Sequence, residues 1–84
     1  TAQDKFFHKA QKLGYRARSA FKLEAILERF PRLPVNKKSV LDLGCSPGSF
    51  LQILKQHSPA SLIGVDLHEM KPIKNTKFLK GDVF

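Results

Sequence analysis

Ser39-Val40-Leu41-Asp42-Leu43-Gly44-Cys45-Ser46-Pro47-Gly48-Ser49-Phe50 is the stretch on which the fold turns. Its first five residues form a short apolar, β-favouring run, entered from the polar Asn36-Lys37-Lys38 and left through Gly44, which is the pattern of a buried strand. Ser46 before Pro47 then reads as a helix start. The serine hydroxyl can cap free amides, and proline at the first helical position gives up only a hydrogen bond that would be absent anyway. The spacing predicts a helix from Pro47 to about His57, with Phe50, Leu51, Ile53 and Leu54 turned toward a sheet and Ser58-Pro59 ending it. A second strand follows over Ser61–Asp66. A third, Thr76–Leu79, comes after a loop punctuated by Pro72. Strand, helix and strand in so short a span is close to the minimum for a βαβ crossover.

Upstream the period changes. A basic helix is expected over Gln3–Leu13, closed by Gly14, and a second over Arg18–Arg29, where Ala20, Leu23, Ile26, Leu27 and Phe30 recur on one face before Pro31 and Pro34. The chain of 84 residues is therefore read as one small partial domain, with residues 1–35 a basic helical amino-terminal extension and 36–84 a βαβ half. No segment has the roughly 20 consecutive apolar residues that span a membrane, and the start lacks a signal peptide's charged head and apolar run. The first residue is not Met, and a piece of a longer chain is the favoured reading. The lone Cys45 forms no internal disulfide and His8, His57 and His68 are scattered, so the expectation is a reducing intracellular compartment and no metal site. The net charge of +8 attracts polyanions. Lys5, Lys9, Lys12, Arg16, Arg18 and Lys22 cluster near the start, with Phe6, Phe7, Tyr15 and Phe21 between them, a pattern that suits nucleic acid.

The turn after the first strand carries the chemistry. Gly44 at the strand's carboxyl end allows a positive φ, and Gly48 keeps bulk away from a ligand over the helix start. Asp66, closing the next strand, stands where a carboxylate meets the hydroxyls of a ribose. The spacing is G-x-x-x-G, so Ser46 stands where a dinucleotide fold has a second glycine, and Pro47 removes an amide that a phosphate would use. S-adenosylmethionine, an adenosine without phosphate, suits this loop better than a pyrophosphate, and Asp82 after the third strand suits the adenine amine. NAD or FAD, and a βαβ unit without ligand, remain as alternatives.

The stretches Ala10-Gln11-Lys12-Leu13-Gly14-Tyr15-Arg16-Ala17-Arg18-Ser19-Ala20-Phe21-Lys22-Leu23, Leu41 to Gly48, Gly64-Val65-Asp66-Leu67, Met70-Lys71-Pro72-Ile73 and Gly81-Asp82 occur in the order and spacing of one family. In them the chain resembles the amino-terminal half of the FtsJ/RrmJ methyltransferases, which methylate ribose 2′-hydroxyls in RNA, most often ribosomal RNA. The resemblance implies an incomplete α/β Rossmann-like fold of amino-terminal helices plus the first three parallel strands. It also implies S-adenosylmethionine as cofactor, held by Asp42, Gly44, Ser46, Pro47, Gly48, Phe50, Asp66 and Asp82. Phe50 departs from the family's frequent tryptophan and also fits a purely packing role. Cys45, where the family has a small residue, reads as space-filling. Of the family's Lys-Asp-Lys-Glu tetrad only the first lysine is matched, by Lys22, and the other members lie after Phe84. Lys5, Lys9, Lys12, Arg16 and Arg18 are the implied RNA contacts.

Two expectations follow for the segment by itself. It should bind S-adenosylmethionine weakly and catalyse nothing. The first strand, central in a doubly wound sheet, would have a bare edge and invite self-association. A noncatalytic basic RNA-binding module is the rival reading; it requires salt-sensitive RNA affinity with no response to cofactor.

Overall fold

In the computed structural model, which describes residues 2–82, three helices accompany a three-stranded parallel sheet of order β1-β2-β3. Helix α1 spans Ala2–Leu13 and α2 spans Ser19–Arg29; β1 (Ser39–Leu43), α3 (Ser49–Gln56), β2 (Ser61–Asp66) and β3 (Lys77–Lys80) follow. The third strand lies one residue later than expected.

Helix α1 ends because Gly14 takes φ 81° and turns the chain back. The Gly14 N–H donates to Gln11 O at 3.2 Å and the Tyr15 N–H to Ala10 O at 2.9 Å, the paired bonds of a Schellman cap. In α2, Ala20 is fully buried while Leu23 and Leu27 are half-covered and Ile26 and Phe30 stay exposed, so the apolar face foreseen there is covered along one side only.

Strand β1 pairs with β2 from Ser39↔Ser61 to Leu43↔Val65, and β2 with β3 from Ile63↔Lys77 to Asp66↔Lys80. Side chains alternate across a strand, so this register puts Val40, Leu62 and Phe78 on one face. There they pack with Cys45 and Leu51, and Leu54, Met70 and Ile73 close the same core. The opposite face carries Leu41, Ile63 and Leu79, and among the described residues no helix covers it. Leu41 is 58% and Leu43 54% exposed, which corrects the reading of β1 as a buried strand: β1 is an edge with one open face.

The start of α3 is a second correction. Helical residues begin at Ser49, because Gly48 at φ 110° lies far from helical geometry and stands as the N-cap, with no side-chain cap bond. Ser46 and Pro47, joined by a cis peptide, belong to the preceding turn. Ser46 therefore does not cap the helix and Pro47 is not its first residue.

Candidate functional site

The bend from Gly44 to Gly48 leaves the carboxyl end of β1 and is bolted to β2. Gly44, at φ 75°, and Cys45 both donate their N–H to Val65 O, at 2.7 and 3.1 Å. One residue further along β2, Asp66 Oδ2 accepts the Ser46 N–H at 2.8 Å, while Oδ1 accepts the His68 N–H at 2.8 Å and lies 3.2 Å from His68 Nδ1. These hydrogen bonds, His68 N–H first, hold the Asp66 carboxyl below the usual carboxylate range.

Asp42 is pushed the other way. Burial raises its pKa, and the neighbouring Asp66 charge adds to the rise. Asp42 Oδ2 is buried and has no hydrogen-bond partner among the described residues. A buried carboxylate oxygen without a donor is costly; its position beside the bend marks where a ligand's ammonium or hydroxyl would be rewarded.

Between bend and helices runs a crevice of about 220 Å³ walled by Ser19, Asp42, Gly44, Ser46, Pro47 and Phe50. Phe50 sits half-buried in the first turn of α3, in the crevice wall, while Leu51 and Ile53 fill the interior. The walls meet through a hydroxyl pair, Ser19 Oγ to Ser49 Oγ at 2.7 Å, which joins the first turns of α2 and α3. Gly48 is buried, and it adjoins the crevice-lining Pro47 and Ser49 without lining the crevice itself. A Cβ there would come within 3.1 Å of both Arg16 Nη1 and Ile73 Cδ1, a tight fit to two side-chain ends, and the φ of 110° is what favours glycine. Asp66 stands behind Ser46, one strand over. Asp82 is exposed two residues past β3, at the same edge of the sheet, where the Gly81 N–H donates to Asp66 O at 2.9 Å.

Lys22 does not line this crevice. It is exposed one helical turn after Ser19 and borders a neighbouring apolar groove of about 430 Å³ between α1 and α2, with Phe6, Arg18, Phe21 and Ala25. Phe6 and Phe21 touch at a centroid distance of 5.8 Å, Tyr15 meets Phe21 edge-on at 5.5 Å, and Lys9 Nζ lies 5.1 Å over the Phe21 ring. Lys5, Lys9, Lys12 and Arg18 are exposed, as phosphate contacts must be.

Arg16 is different from the cations around it. Its guanidinium is engaged by backbone carbonyls, including Pro47 O at 3.0 Å, and so is not a free phosphate contact. Cys45 is buried, its thiol pushed up by burial first and by Asp42 and Asp66 after it, which removes thiolate character. Sequence reasoning missed Ser19, Gln52 and Gly64. Only Gly64 carried a signal, an isolated glycine inside a strand, which marks close approach by a neighbour; a Cβ there would lie 2.7 Å from Cys45 Sγ.

The chain matches the model of the FtsJ-like methyltransferases over residues 15–84. It is 40% identical over 81 residues to the ribosomal RNA large subunit methyltransferase E of Methanosarcina mazei, covering 96% of this chain and 30% of that protein. With the corresponding protein of Methanocorpusculum labreanum the identity is 45% over 80 residues, covering 95% and 39%. With the pre-rRNA 2′-O-ribose RNA methyltransferase of Rattus norvegicus it is 42% over 83 residues, covering 96% and 10%. A crystal structure described as a ribosomal RNA methyltransferase from Plasmodium falciparum superposes with a TM-score of 0.71 at 36% identity, over 82% of this chain and 39% of that one. The chain thus spans well under half the length of these relatives.

Proposed function

The chain belongs to the FtsJ-like methyltransferase family, and from that premise we propose that it forms the cofactor-binding part of an enzyme methylating a ribose 2′-hydroxyl in RNA, with ribosomal RNA as the substrate. The relatives' names support the RNA and the reaction. The observation that carries the cofactor is local: a glycine-bounded bend tied to Asp66, beside an Asp42 oxygen with no donor among the described residues.

The residues present fit S-adenosylmethionine. Asp66 Oδ2 accepts one backbone N–H and keeps a lone pair for a ribose hydroxyl, while Oδ1 is already engaged by the His68 N–H and faces His68 Nδ1. Asp42 Oδ2 would accept from the ligand, Gly44, Ser46, Pro47 and Gly48 would form the cradle, Phe50 its wall, and Asp82 would take the adenine amine. Bound, the cofactor supplies a methyl group on a positively charged sulfur. Lys22, close to the crevice but outside it, would anchor the target nucleotide and lower the pKa of a neighbouring lysine base by its charge. Exposed Lys5, Lys9, Lys12 and Arg18 would hold the RNA backbone.

Titration calorimetry on the full-length protein tests this reading. Asp66→Ala should abolish measurable S-adenosylmethionine binding, and unchanged affinity in that variant would overturn the proposal. Lys22→Ala should retain cofactor binding and lose methyl transfer. RNA binding with no cofactor affinity in the unsubstituted protein would favour a noncatalytic module.

A further inference from the structure

Arg16 lies in the turn between α1 and α2, within the basic run that a charge count assigns to RNA. Its side chain nevertheless lies against the cofactor loop. Nη1 donates to Pro47 O at 3.0 Å and to Lys71 O, and Nη2 donates to Pro72 O at 3.0 Å. The turn that carries it is itself pinned to α3 by Gln52: Oε1 accepts the Arg16 N–H at 2.8 Å and Nε2 donates to Gly14 O at 3.1 Å.

These contacts join two segments that flank Asp66. One is the Pro47–Gly48 bend after β1. The other is the Lys71–Pro72 stretch after β2, anchored on either side by Met70 and Ile73 in the core. Arginine suits the task, since its planar fork offers several fixed donors and keeps its charge at any working pH. Lysine has a single nitrogen and cannot hold carbonyls of both segments in the same geometry. The Arg16 side chain is also what a Cβ on Gly48 would meet, so clamp and glycine fit one another.

We infer that Arg16 is a positioning residue for the cofactor site, locking the Pro47–Gly48 bend to the Lys71–Pro72 segment, and is not a phosphate contact. The inference rests on the cofactor reading above. It gives the basic motif a division of labour: Arg18 and the lysines of α1 face solvent, and Arg16 braces the loop beside the site.

The test uses the full-length protein, S-adenosylmethionine in a calorimeter and a single-stranded RNA oligonucleotide at several salt concentrations. Arg16→Lys keeps the charge and loses the fork, and should weaken cofactor binding by about tenfold, the scale of one lost charge-assisted hydrogen bond. Its RNA affinity and salt slope should not change. Lys12→Gln should do the reverse, reducing the salt slope by about one with cofactor affinity intact. Gln52→Ala, which frees the turn, should weaken the cofactor in the same direction as Arg16→Lys. Cofactor affinity unchanged in Arg16→Lys, or a variant that only melts at lower temperature while its folded fraction binds normally, overturns the inference alone. An unsubstituted protein that binds no cofactor overturns the site reading and this inference with it.

Discussion

Asp42 and Asp66 stand on adjacent strands, and their surroundings pull their protons in opposite directions. Asp66 is held ionised by donors from Ser46 and His68. Its contribution to stability is complete above the unfolded carboxylate value of about 3.9 and is lost as pH falls through its lower folded value. Asp42 is raised, so its ionised form costs stability at neutral pH, and the cost disappears as pH falls through the raised folded value toward the unfolded one. Asp42→Asn should therefore raise the urea midpoint at pH 7, and the gain should vanish by about pH 4. The same substitution should weaken S-adenosylmethionine binding, a trade of activity against stability common at functional sites. A midpoint at pH 7 no higher than that of the unsubstituted protein would show that Asp42 carries no such cost.

Strand β2 is the element on which the site depends, because its main chain receives the bend and its last residue orders it. Gly64 in its centre lets α3 and Cys45 come close: a Cβ would lie 2.7 Å from Cys45 Sγ and 2.7 Å from Leu51 Cδ1. Overpacking of this kind costs about 1–3 kcal/mol, so Gly64→Ala should lower the thermal midpoint by several degrees. Adding Cys45→Ala should recover part of the loss by removing one of the two clashing atoms. The strands were legible in sequence because short β-branched and leucine runs between polar and glycine breaks have few other solutions, and the helices because their apolar spacing and proline stops agree. The start of α3 was not. Ser46-Pro47 obeys the local rules for a helix start, but a bend that must reach Asp66 and pass under Arg16 needs Gly48 at positive φ, and helical geometry waits until Ser49. Gly44, Gly48 and Asp66 stand out in the sequence by their spacing, whereas Asp42 enters only through the family resemblance. The clamp by Arg16 and the bracket by Gln52 were hidden, because both depend on contacts between residues distant in sequence.

For the whole molecule, two opposing forces act on any encounter between copies of this segment. Its net charge of +8 repels. The open sheet face attracts, with Leu41, Leu43 and Leu79 each about half exposed and the β1 edge unpaired among the described residues. Burying apolar surface gains about 25 cal/mol per Å², and an unprotected edge offers main-chain hydrogen bonds as well. The repulsion between exposed charges is screened over about 10 Å at 0.1 M salt, so salt removes the opposing force and leaves the attraction. Residues 1–84 expressed by themselves should accordingly self-associate in sedimentation velocity runs, and more strongly as salt rises, the reverse of the trend expected for RNA binding. Replacing Leu41 and Leu43 together by Lys places charge on both the edge and the face, and should return the segment to monomer at every salt concentration while its far-ultraviolet circular dichroism is preserved. Association that weakens with salt, or that survives this double substitution, would locate the contact elsewhere on the surface.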